Sequence, residues 1–131
     1  QVELNYRNNY RAIRYADVLL MAAEANNRMG TLNDTGTPND AKALQYLNRV
    51  RDRAFGDILH RSTATGTALK TAIWDERRLE LGMEGHRFFD LVRTGQAASK
   101  ITGWLANKNE VFPIPQAEVD ISGLTQNPGY N

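Results

Sequence analysis

The side chains most able to do chemistry crowd into residues 73–93, IWDERRLELGMEGHRFFDLVR. Glu76, Glu80 and Glu84 stand at i, i+4 and i+8 and share one face of a continuous helix, while His86 and Asp90 form another i, i+4 pair. Stacked carboxylates beside a histidine could hold a metal, or supply the acid and base of a glycoside hydrolase. The spacing argues against a metal. A helical di-metal carboxylate site uses Glu-x-x-His, whereas Glu84 and His86 are two apart and face different ways. His-Glu-x-x-His is absent, and with only His60 and His86 in the chain no multi-histidine zinc site can be built.

Like charges at i, i+4 repel unless something neutralises them. Arg77 lies three residues from Glu80, Arg87 three from Glu84 and Arg93 three from Asp90; Arg14, Arg49 and Arg51 are available from earlier in the chain. We therefore read Glu76, Arg77, Glu80, Glu84, Arg87, Asp90 and Arg93 first as a structural ion-pair network. The alternatives are contact with a ligand, or hydrolysis by two of Glu76, Glu80, Glu84 and Asp90. Neither a Gly-x-Ser-x-Gly elbow nor a phosphate-binding glycine loop occurs, so no catalytic residue and no cofactor are expected. Trp74 and Trp104 could be sugar-stacking platforms, but both fall in expected helices where packing is the commoner use. Tyr46 belongs to a polar helix face and is expected to be exposed; the adjacent Phe88 and Phe89 point apart and are expected to plug two interfaces.

The elements that must position these groups are helical. Residues 1–11 are polar with two tyrosines and read as a loop or extended arm. From Ile13, apolar residues recur at Ala16, Leu20 and Ala23, with a second line at Val18, Ala22, Ala25 and Met29. A helix apolar on two sides is usually buried between neighbours. Gly30 is a suitable terminator and residues 31–37 read as a loop. Thr37 is the expected N-cap of the next helix, with Pro38 in its first turn and Asp40 near its positive end. Ala43, Leu44, Leu47, Val50 and Ala54 make its apolar face, and Lys42, Gln45, Arg49, Asp52 and Arg53 the polar one. Residues 13–54 thus form a helical hairpin, one tetratricopeptide-like unit, which cannot cover its own apolar face and needs neighbours.

A loop over 56–66 leads to a third helix near Thr67, using Leu69, Ala72, Ile73, Leu79 and Met83. Gly82 and Gly85 predict a break, followed by a helix to about Val92 closed by Gly95. A last helical segment is expected over 96–106, carrying Ile101, Trp104 and Leu105. Beyond Asn107 the helical signals stop. Phe112-Pro113-Ile114-Pro115 must be extended, and Asn127-Pro128-Gly129-Tyr130 has turn chemistry. The expected fold is all-α: a tetratricopeptide-like hairpin packed with further helices over 67–106 and an irregular extended tail over 107–131, in a single domain.

Composition narrows the function classes. A chain of 131 residues with 41% hydrophobic and 24% charged residues supports a real core. Its 16 basic against 15 acidic residues leave a formal charge of +1, which argues against a nucleic-acid footprint. The absence of cysteine excludes disulfides, thiolate metal sites and cysteine nucleophiles within the chain. The strongly apolar run 18–23 is far short of the ~18 residues of a membrane span. A start at Gln1 points to processing or excision from a longer protein.

Three blocks, in order, resemble the carboxy-terminal part of the SusD/RagB family of nutrient-binding outer-membrane lipoproteins of Bacteroidetes-type bacteria. The first runs IRYADVLLMAAEA from Ile13 and is followed by Ala43-Leu44 and by LNRVRDRA from Leu47. The second is residues 73–93, with ERRLEL from Glu76 and EGHRFFDLVR from Glu84. The third is Phe112-Pro113-Ile114-Pro115, Glu118 and the ending Gln126-Asn127-Pro128-Gly129-Tyr130. The resemblance implies a surface-exposed, lipid-anchored, non-enzymatic protein that captures glycans or other nutrients and covers a TonB-dependent SusC-like transporter. It also implies a tetratricopeptide-like scaffold and a location at the outer membrane. Family members are several times longer than this chain, and their lipidated cysteine is not within it. Their glycan-contacting aromatic residues lie mainly upstream of this region, so no ligand residue is carried onto this sequence. A free-standing helical-repeat domain that binds a protein partner is the alternative reading.

Overall fold

The computed structural model describes residues 12–29 and 38–130, and its regular elements are all helices. They are α1 Tyr15–Arg28, α2 Asp40–Phe55, α3 Gly66–Glu80, α4 Arg87–Arg93, α5 Ala97–Lys100 and α6 Gln116–Ser122. No strand occurs among the described residues. The arm over 1–11, the terminator Gly30 and the loop over 31–37 lie outside the described residues. The chain divides into two compact units, Gln1–Gly82 and Met83–Asn131.

In the first unit α1 packs against both α2 and α3. The end of α1 meets the start of α2, where the Asn39 N–H donates to the Asn26 carbonyl at 2.9 Å, so the two helices run antiparallel. The start of α3 joins that same end, since Asn27 donates to Asp40 at 2.7 Å and to the Gly66 carbonyl at 3.1 Å. Thus α3 runs parallel to α2. Leu20, Leu47, Val50, Leu69 and Ile73 are the largest fully enclosed side chains, packed with Ala23 and Ala43. Each large aliphatic of this kind contributes about 1.5–3 kcal/mol of burial. The alanines matter for another reason, because small side chains let the α1 and α2 backbones approach closely.

Thr37, the expected cap of α2, is outside the described residues; the side chain that caps the helix is Asn39, accepting from the Lys42 N–H at 3.0 Å. Pro38 therefore precedes the cap rather than occupying the first turn. At the other end Gly56 takes φ +76 and its N–H donates to the Asp52 carbonyl, a left-handed closure suited to glycine. Tyr46 is half-buried against the core rather than exposed, with Lys42 Nζ 5.1 Å from its ring centre. The apolar line of α3 also departs from expectation. Leu69 and Ile73 face inward, but Leu79 and Met83 are 66% and 105% exposed. Continuing the helical phase from Leu69 and Ile73 leads to Glu76, Arg77 and Glu80, so charged groups extend the core line.

The second unit is less regular. Leu91 and Ala97 are its buried hydrophobics. The segment expected to be helical over 96–106 stops at Lys100, because Ile101 is extended and Gly103 takes φ +78. The tail is irregular yet contains α6, which starts directly after Pro115 and is closed by Gly123 in the left-handed region. Proline before a first turn and glycine after a last one are ordinary helix boundaries. The FPIP and QNPGY blocks hold each other. Gln126 accepts from the Ile114 N–H at 2.7 Å and donates to the Ile114 carbonyl at 2.8 Å, copying a strand pair with one side chain. Asn127 donates to the Phe112 carbonyl at 2.6 Å, and the Tyr130 hydroxyl donates to that of Val111 at 3.1 Å.

Candidate functional site

The charged stretch crosses the boundary between the units. Glu76, Arg77 and Glu80 belong to the first; Glu84, Arg87, Asp90 and Arg93 belong to the second. In the first unit the partners come from other helices, not from the nearest turn. Arg77 Nη1 donates to Asp17 Oδ1 of α1 at 2.7 Å, and the two side chains are only 6% and 9% exposed. Glu76, equally enclosed, accepts from Arg51 of α2 at 2.5 Å. Glu80 Oε1 accepts from Arg14 at 2.8 Å and from Arg53, while Arg14 also donates to the Glu80 backbone carbonyl at 2.7 Å. Arg14 thereby gives the Glu80 carbonyl, in the last turn of α3, a hydrogen-bond donor from α1's entry, beside the Leu81 N–H that closes the helix on the Arg77 carbonyl at 3.0 Å.

Three acids on one helix face would repel and would each lose hydration on burial. Here Glu76 and Glu80 stand on the inner face of α3 because the helical period puts them in line with Leu69 and Ile73. Folding them inward is possible only because α1 and α2 deliver guanidiniums there. Arg51 does more than neutralise Glu76, since its Nε donates to the His60 carbonyl at 2.6 Å and its guanidinium lies 5.4 Å from the Phe55 ring centre. Asn48 completes the hold on the α2–α3 connection by a two-way amide contact with Ser62, at 2.9 and 2.8 Å.

In the second unit Arg93 and Asp90 meet at 2.7 Å as their i, i+3 spacing allows. Glu84 and Arg87 are both exposed. His86 precedes α4 with its carbonyl accepting from the Asp90 N–H at 3.0 Å. His60 lies in the α2–α3 connection, stacked on Phe55 with ring centres 4.1 Å apart, and its Nδ1 is 3.0 Å from Asp57. That contact, with the Leu59 N–H, holds the Asp57 carboxyl below the usual carboxylate range. Hydrogen bonding by Arg61 does the same for Asp52, which it grips at 2.9 and 2.6 Å. Among the described residues no group of three or more His, Cys, Asp or Glu is placed to hold a metal.

A cleft of about 560 Å³ opens beside the Glu80 cluster, lined by Ile13, Arg14, Tyr15, Leu19, Arg49 and Arg53 among others. Its cations are engaged. Arg14 and Arg53 bind Glu80, and Arg49 lies 5.2 Å from the Tyr15 ring centre. Trp74 is half-buried on α3 with Lys70 Nζ 5.1 Å from its ring. Trp104 lies just after the turn at 102–103, outside any helix, and forms an aromatic group with Phe88 and Phe112 at centroid distances near 6 Å. Phe88 and Phe89 do not plug two interfaces: their rings meet edge to face with centres 5.6 Å apart, and Phe89 is 64% exposed. Sequence reasoning missed Asp17 and Arg53 as partners. The clue to Asp17 was a lone acid inside an otherwise apolar stretch of α1.

Comparison with known proteins agrees with this architecture. The SusD family profile matches residues 2–110. The chain is 35% identical to SusD-like protein P25 of Formosa agariphila over 136 aligned positions, covering 90% of this chain and 23% of that protein. It is 30% identical to SusD-like protein P2 of the same organism, covering 93% and 26% respectively. The crystal structure of a SusD homolog from Bacteroides thetaiotaomicron superposes with a TM-score of 0.69 at 31% identity, covering 92% of this chain and 27% of that one. The chain therefore spans about a quarter of the length of the relatives it matches. Helix order, helix packing and sequence converge, and this chain belongs to the SusD family.

Proposed function

We propose that this chain is the scaffold portion of a larger cell-surface protein that binds glycans or other nutrients without transforming them. The parent protein would pass its ligand to a TonB-dependent SusC-like transporter, held at the outer membrane by a lipid anchor encoded elsewhere in its sequence. The observation that carries the reading is the family match over residues 2–110. The engagement of the charged groups supports the non-catalytic part. Glu76 and Glu80 are closed off by Arg51, Arg14 and Arg53, which leaves neither poised to exchange a proton with a sugar. No described helix is long and apolar enough to cross a membrane.

Affinity electrophoresis of the whole parent protein through gels containing a panel of polysaccharides tests the proposal, with released reducing ends measured in parallel. Retarded migration in at least one gel without product release is expected. The reading falls if no saccharide is bound and the surrounding genes encode no transporter. It also falls if Glu80→Gln abolishes a measurable hydrolysis while leaving thermal stability intact.

A further inference from the structure

We propose that the cleft between the start of α1 and α2 is an oxyanion subsite for an acidic saccharide, taking the carboxylate of a uronic acid residue on Arg49 and Arg53. The saccharide rests on the nutrient-binding reading above; the preference for an oxyanion rests on the geometry alone. The cleft lies wholly within the first unit, and its volume of about 560 Å³ falls inside the ~300–1,000 Å³ span of small-molecule sites. Arginines 14, 49 and 53 line it, and among the described residues no aspartate or glutamate does.

Arg14 is committed to Glu80, so the argument rests on Arg49. Its guanidinium lies over the Tyr15 ring, and among the described residues it has no hydrogen-bond or ion-pair partner. The ring offsets part of the charge. It leaves unused the planar N–H fork that matches a carboxylate in two parallel bonds. Arg53 stands one turn further along α2, gives only Nη2 to Glu80 and is 60% exposed. Like charges four residues apart repel, and a concave wall of one sign focuses a field that an entering anion relieves. Elsewhere in this unit Arg51, Arg61 and Arg77 each meet a carboxylate of their own, in Glu76, Asp52 and Asp17. Arg49 lacks one.

The apolar part of the lining selects what carries the oxyanion. Ile13 and Tyr15, 69% and 61% exposed, line the cleft together with the buried Leu19 and Val50. A uronic acid offers a C–H face to an aromatic ring and a planar carboxylate to a guanidinium. A neutral sugar leaves Arg49 without an anion, and free sulfate leaves the apolar wall uncovered.

Calorimetric titration of the whole parent protein at low salt tests the proposal, with sodium glucuronate, sodium galacturonate, glucose and sodium sulfate as probes. We expect at least one uronate to bind more tightly than glucose or sulfate, and Arg49→Gln to weaken it at least ~10-fold. Arg49→Lys should recover only part of that loss, since an ammonium keeps the charge without the fork. Lys42→Gln, a cation two turns back on α2 and outside the cleft, should change nothing. Arg49 is exposed, so Arg49→Gln should unfold as the wild type does, which separates lost binding from lost folding. The proposal falls if neither uronate binds, if Arg49→Gln binds them unchanged, or if sulfate binds as tightly. Neutral polysaccharide binding with no uronate binding overturns this subsite alone; failure to bind any saccharide overturns the nutrient-binding reading with it.

Discussion

Replacing Arg77 by methionine isolates the contribution of the buried ion pair. Arg77 and Asp17 come from α3 and α1, meet at 2.7 Å, and have side chains 6% and 9% exposed. Methionine keeps most of the volume of the stem and removes the charge, so the Asp17 carboxylate is left enclosed without its cation. Stranding a buried charge in this way costs about 3–5 kcal/mol, whereas losing a surface ion pair costs ~0–1 kcal/mol. Exposure decides which figure applies. Arg78→Met, one residue along on an exposed position, should stay within about 0.5 kcal/mol of wild type. Asp17→Leu combined with Arg77→Met removes both charges and should recover most of the loss, because an apolar pair of similar volume is roughly as stable as a buried ion pair. Urea unfolding followed by far-ultraviolet circular dichroism measures all four proteins, with a slope unchanged between them. A loss below about 1 kcal/mol for Arg77→Met, or a double variant no more stable than the single, would refute the reasoning.

Glu80→Gln weakens the contacts to Arg14 and Arg53, and because those guanidiniums are 24% and 60% exposed and stay partly hydrated it should destabilise by only about 1–2 kcal/mol on urea unfolding, less than Arg77→Met. Gln126→Ala removes the two-way contact with Ile114 and its acceptance from the Asn127 N–H; a local loss of about 1–3 kcal/mol follows, seen as faster hydrogen exchange at the Ile114 amide. Arg61→Ala should raise the Asp52 carboxyl toward its ordinary range in a carbon-detected NMR titration. In the wild type the folded pKa lies below the unfolded one, so this contact's stabilisation is present above the ordinary carboxylate range. It is lost as pH falls through the depressed value, and the variant should lack that acid-side loss.

The helix pairs were readable because local periodicity encodes them. Leu47 and Val50 on α2, and Leu69 and Ile73 on α3, announce their inward faces by spacing alone. The break after α3 was readable from Gly82 and Gly85. The acids of α3 were equally visible, but their partners were not. Arg93 is a local neighbour of Asp90 and pairs with it, whereas Arg77 reaches Asp17 across 60 residues, a choice that no i, i+3 rule contains. The tail shows the same division, since α6 was overlooked although Pro115 and Gly123 bracket it.

The sequence by itself determined an all-helical architecture, the extents of its three longer helices to within a few residues, and the order of the family's three blocks. These follow from side-chain period and backbone-restricting residues, all of which are local. Only the tertiary structure decided that cations from α1 and α2 meet Glu76 and Glu80, and that one amide of Gln126 holds the FPIP segment. It also decided that the second apolar line of α1 stands open. Burial and long-range pairing depend on which helices become neighbours in space, and chain spacing carries no record of that.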